Sequence, residues 1–168
     1  MTKYTIRKDE ERQIVINRPG EYAIELVGEG ARVEILGALV ATGSERLVVD
    51  ITSLHRVPHT SCDIFIRAVA TDRSQVFLSG MIKIGRGAQQ TNAFLRENVL
   101  LVSPWARAEA LPRLEIEADD VHASHAATVG KIDEEQIFYL RSRGFSRTVA
   151  SKMIVDGFLN AVRERIKH

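Results

Sequence analysis

From Tyr4 to about Val129 the chain alternates apolar and polar residues in short segments, including 14–16, 22–27, 32–36, 47–52, 63–67, 75–80, 81–84 and 113–117. Apolar residues at every second position are the period of a half-buried strand. Gly20, Gly28, Gly30, Gly37, Gly43, Gly80, Gly85 and Gly87 punctuate the segments as expected turns. A last strand carries His122 and His125 and is expected to end in a turn at Gly130. Short strands with close turns suit a sandwich, a barrel or a β-solenoid. Without an exact repeat a solenoid would be irregular, and periodicity alone leaves the three open.

After Ile132 the period changes. Asp133 with Gln136 three residues on resembles a capping box, with Asp in place of the usual Ser or Thr. Glu134 and Glu135 suit the positive end of a helix, Arg141 and Arg143 its negative end, and Gly144 a left-handed stop. Ser146 then caps a second helix whose apolar stripe reads Val149, Met153, Ile154, Phe158, Ala161 and Val162. The expected division is a β body over 1–131 and a helical segment over 132–168.

Composition narrows the function classes. A formal charge of +1 with 27% charged residues gives no reason to propose nucleic acid or membrane as a partner. No apolar run approaches the roughly 18 residues of a spanning helix, and the first residues are polar, unlike a signal peptide. A single cysteine, Cys62, precludes an internal disulfide framework and favours a reducing, cytoplasmic setting.

Candidate chemistry is sparse. His122 and His125 are three apart, so a strand puts them on opposite faces and they make a poor chelating pair. His55 and His59 flank Val57-Pro58 ahead of Cys62, a spacing looser than a zinc site wants. Cys62 alternates with Ile64 and Ile66 and reads as a small buried hydrophobe. Asp119 and Asp120 read as solvated turn acids. There is no nucleophile elbow, and Gly85-Arg-Gly-Ala lacks the lysine and spacing of a phosphate loop. The helical segment is locally basic and leaves apolar faces that must be buried somewhere.

One set of motifs speaks together. These are His55-Arg-Val-Pro-His-Thr-Ser, Val76-Phe-Leu-Ser-Gly-Met-Ile, Ala88-Gln-Gln-Thr-Asn-Ala and Asn98-Val-Leu-Leu-Val-Ser. Pro112-Arg-Leu-Glu-Ile-Glu-Ala-Asp-Asp-Val, Ser124-His-Ala-Ala-Thr-Val-Gly and Asp133-Glu-Glu-Gln-Ile-Phe-Tyr-Leu-Arg-Ser-Arg-Gly follow in order. From His55 to Gly157 the chain resembles the SufB/SufD proteins, scaffold components of iron–sulfur cluster assembly, and looks SufD-like and shortened.

The resemblance implies a mainly β fold, a right-handed parallel β-helix followed by a small C-terminal helical pair. It implies a scaffold rather than an enzyme. The helices would dock a SufC-like ABC ATPase, and the β-helix would pair with a SufB-like subunit or a second copy. A transient cluster would be handled at the subunit interface. His125 falls on the histidine of the Ser-His motif and becomes the leading cluster or metal ligand, with His122, His55 and Cys62 weaker. Phe138, Tyr139, Arg141, Arg143, Gly144, Met153 and Phe158 become the partner-binding candidates. Two other classes stand beside this one: a divergent β-helical structural protein, and a β-helical enzyme acting on a small molecule or sugar through Asp119, Asp120 and His125.

Overall fold

The computed structural model describes residues 1–167; His168, the end of the expected helical segment, lies outside the described residues. The alternating segments become ten strands: β1 (Thr2–Ile6), β2 (Glu11–Ile16), β3 (Gly20–Leu26), β4 (Arg32–Ala41), β5 (Arg46–His55), β6 (Ser61–Ala70), β7 (Gln75–Ile84), β8 (Thr91–Leu101), β9 (Arg107–Ile116) and β10 (Val121–Lys131). Every pairing is parallel and joins a strand to the next but one. The odd strands therefore stack as one sheet, β1-β3-β5-β7-β9, and the even strands as a second, β2-β4-β6-β8-β10. That is a β-helix: each coil lays one strand on each sheet, and parallel pairing places equivalent residues directly above one another. Of the three architectures open to the period of two, the solenoid is the one the chain adopts.

The core is built from stacked inward columns. Ile35 pairs with Ile64 and Ile64 with Leu95 on the even sheet; Ile24 pairs with Ser53 and Ser53 with Ile82 on the odd. All six are buried, and the aliphatic majority of the interior supplies most of the hydrophobic driving force.

Several expected turns are strand interior. Gly37, Gly80 and Gly130 lie within β4, β7 and β10, and the segments 75–80 and 81–84 are one strand. Gly80 shows why. Its missing side chain makes room for neighbours across the core, since a Cβ there would sit 2.9 Å from Glu97 Oε1 and closer still to Leu95. Such a glycine records close approach rather than a bend.

Two helices follow. α1 (Glu134–Ser142) is capped by Asp133, whose carboxylate accepts from the Glu135 backbone N–H at 2.8 Å. It stops before Gly144, whose φ of 95° favours glycine. α2 (Arg147–Arg163) is capped by Ser146, which accepts from the Val149 N–H at 3.3 Å. The buried side of α2 matches the expected stripe only in part: Val162 is buried and Ile154 and Phe158 pack half-buried, but Ala150 and Leu159 are buried where Val149 and Met153 are exposed. The reason is where α2 lies. It crosses the outer face of the even sheet, where Ala150 and Leu159 join Val69, Leu100 and Ile137 in one cluster and Val162 meets Leu36 and Phe65 in another.

Candidate functional site

Both sheets end at the same end of the solenoid, at β9 and β10, each hydrogen-bonded to a neighbouring strand on one side only. His125 sits there. It continues the inward column Ile14, Ile35, Ile64 and Leu95, all buried, yet it is itself exposed. Among the described residues no strand stacks above it, so a position that is aliphatic in every earlier coil carries an exposed imidazole. Its row mates Ala123 and Ala127 are small and half-buried, leaving the ring accessible. His122 pairs with the exposed Asn92 on the other face of the strand and is exposed as well. The two histidines therefore do not converge, as the alternation requires.

The structure takes His55 and Cys62 away from the surface. His55 is fully buried at the end of β5, where Nδ1 lies 2.8 Å from Thr60 Oγ1, itself 2.9 Å from Thr91 Oγ1. Nε2 has no hydrogen-bond partner, and burial pulls the imidazole pKa down to about 4. Cys62 is fully buried, and burial pushes its thiol up to about 12, so it is not a thiolate near neutral pH. His59 is an exposed turn residue 3.8 Å from Glu29. Asp119 and Asp120 are exposed in the β9–β10 turn, with the Asp120 N–H donating to Gln89 Oε1 at 2.9 Å. That arrangement orders a turn. Among the described residues no group of three or more His, Cys, Asp or Glu side chains converges as a metal site.

Five of the partner-binding candidates, Phe138, Tyr139, Arg141, Arg143 and Gly144, gather at the end of α1 and the α1–α2 turn. Phe138 is 74% exposed and Tyr139 56%, and Arg143 stands 5.2 Å from the Tyr139 ring centroid. Phe138, Arg141 and Gly144 line a cleft of about 690 Å³ together with Phe145 and Arg147. Met153 is exposed further along α2, at a separate cleft lined by Lys131, Gln136 and Ile154. Phe158 belongs elsewhere: its ring lies 4.6 Å from the Arg67 guanidinium and its carbonyl accepts from Arg67 at 2.6 Å, so it holds α2 to the solenoid.

Sequence reading passed over Glu97. It belongs to the inward column Ile16, Gly37, Ile66, Glu97 and Ala127, is 1% exposed, and leaves Oε2 without a partner. The signal was available: continuing the alternation of Thr91, Ala93, Leu95 and Val99 puts a carboxyl group indoors.

Against known proteins, the family model described as "SUF system FeS cluster assembly, SufBD core domain" matches residues 17–158. The chain is 40% identical over 101 residues to the iron–sulfur cluster assembly protein SufD of Escherichia coli, covering 60% of this chain and 24% of that protein. It is 31% identical over 144 residues to an iron–sulfur cluster assembly SufBD family protein of Mycobacterium tuberculosis, covering 86% of this chain and 17% of the relative. A Staphylococcus epidermidis member is 31% identical over 134 residues, covering 80% and 29%. The chain thus spans less than a third of the length of these curated relatives.

Proposed function

The chain belongs to the SufBD family of iron–sulfur cluster assembly proteins, and on that premise we propose that it works as a SufD-like scaffold subunit in the cytoplasm rather than as an enzyme. The observation that carries the reading is His125, an imidazole exposed at the open last coil in a column that is otherwise aliphatic. Uncovered strand edges favour pairing with another chain, and a SufB-like subunit or a second copy would bring the ligands that one chain lacks. The nascent cluster is then cargo held between subunits, with His125 as this chain's contribution. Imidazole suits iron, and a partner's thiolates would complete the set.

The second surface is the α1–α2 turn. Phe138 and Tyr139 offer apolar area there, Met153 extends it further along α2, and Arg141 and Arg143 offer charge beside the aromatic pair. We assign it to an ABC-type ATPase whose nucleotide cycle would move this subunit against its partner. Such a surface, with aromatic and arginine anchors around a cleft, fits protein recognition.

The test is co-purification of the full chain with the ATPase and SufB-like subunit of its own source. Phe138→Ala with Met153→Ala should remove the ATPase while leaving β-helix pairing and thermal stability intact. His125→Ala should keep the complex but reduce cluster yield. A complex indifferent to Phe138 and Met153, or an unchanged cluster yield in His125→Ala, sinks the corresponding role. No helix among the described residues is long and apolar enough to cross a membrane.

A further inference from the structure

Glu97 is an anomaly independent of the assembly reading. It occupies an inward position of β8 flanked by the buried Leu95 and Val99, and its carboxyl has a buried oxygen with no hydrogen-bond donor. The space it fills is the one left by Gly80 on the facing strand, whose absent Cβ would lie 2.9 Å from Oε1. An unpaired carboxylate held away from water is among the costliest groups a fold can keep.

The groups around it offer little compensation. Ile66 of β6 and Ala127 of β10 flank it in its own column, and Gly80 faces it from β7. Asp50 of β5 and Arg113 of β9 act on it with opposite signs, and Arg113 spends a donor on Ser79 Oγ at 3.0 Å. His125 lies diagonally across on β10 in the same inward row. Burial, the largest influence, pushes the carboxyl pKa up to about 7.

Its position in the stack decides what ionisation would do. Only one coil lies between Glu97 and the open end, and that coil is made of β9 and β10, each terminal in its sheet and each mostly exposed or half-buried. The small Ala127 is all that pairs over Glu97 on the even sheet. Opening terminal strands costs less than unfolding the chain, because they carry few buried contacts.

We propose that Glu97 is a proton-controlled pin for the last coil: neutral, it is tolerated beneath a closed β9–β10, and ionised, it drives that coil open to reach water. The device governs the coil that carries His125, so it would set the order of that edge as the pH crosses neutrality. It is a property of this chain alone and stands or falls without any partner or cluster.

Hydrogen exchange of the full chain, resolved by segment and corrected for the intrinsic pH dependence of amide exchange, tests it. Between about pH 6 and pH 8 the opening of β9 and β10 should rise about tenfold, while β4 and β6 stay level. Glu97→Gln, which keeps the shape and cannot ionise, should flatten the β9–β10 profile. A wild-type profile equally flat in β9–β10 and β4–β6 overturns the proposal even if the variant fails to fold. So does a Glu97→Gln profile that keeps the wild-type slope.

Discussion

Arg165, just beyond α2, donates through one guanidinium nitrogen to Asp63 Oδ2 and Glu34 Oε1, both at 2.6 Å, and so ties the end of the helical segment to β6 and β4. The same guanidinium carbon lies 5.4 Å from the Phe65 ring, which also faces Arg67 and Arg96. Aromatic and carboxylate partners together hold the segment where α2 alone buries only Val162 against this part of the sheet.

Arg165→Ala should therefore loosen the end of α2 without disturbing the β-helix. This arginine with its two carboxylates is part-exposed, so screening keeps its worth to about 1 kcal/mol, or a fall in Tm of about 2–4 °C for a chain of this size. Calorimetry with exchange mapping checks it: an unchanged Tm, or loosening centred on β7 and β9, contradicts the assignment.

His55 makes stability depend on acid. Its folded pKa, about 4, is depressed below the ordinary value of 6.5. The unfolded chain therefore takes up the proton first as pH falls. Its contribution to stability is complete above the unfolded value, declines as pH drops through 6.5, and is fully lost near 4, a change of up to about 3 kcal/mol. Glu97 runs the other way: its raised pKa makes its contribution full below the ordinary 4.5 and lost as pH climbs through about 7. The two limbs partly cancel in the whole protein, so the measurement is the difference between wild type and His55→Gln in urea titrations at about pH 7.5 and 4.5. Wild type should lose ground to the variant on acidification, and a pH-independent difference would rule the assignment out.

Cys62 should be inert to thiol reagents in the folded chain. It lies fully buried in the column Val33, Cys62, Ala93 and Ala123, and its thiol sits near 12. A chromogenic disulfide reagent should react with it only after denaturation, at a rate set by unfolding. Rapid labelling of the native protein would show that the interior is not closed there.

The strands were legible because alternation is a property of residues in sequence, and the family motifs singled out a β-helix that the period of two could not. The glycines were harder. Gly37, Gly80 and Gly130 look like Gly28 or Gly43 in a string of letters, yet all three lie in strands, and Gly37 and Gly80 are there because side chains of other strands fill the space a Cβ would take. The α2 stripe misled for the same reason: Val149 and Met153 fall on the helix's apolar side, but the sheet surface it meets selects Ala150 and Leu159 instead. His125 was found as a motif residue. That it terminates a stack of isoleucines and a leucine is visible only once the register is known.

Gly80 offers the sharpest test of the register itself. A Cβ at Gly80 would meet the Leu95 side chain and Glu97 Oε1 at once. Leu95 is 1% exposed beneath His125, and Glu97 has no free route to solvent while the last coil is closed. Gly80→Ala should destabilise by about 1–3 kcal/mol through overpacking, despite the better intrinsic strand propensity of alanine. The cost has a specific remedy: Leu95→Val removes one carbon from the crowded side chain and should restore part of the loss in the double variant, a non-additivity expected only of residues in contact. Gly80→Ala that is neutral, or a double variant whose losses simply add, would mean that β7 and β8 do not face each other in this register.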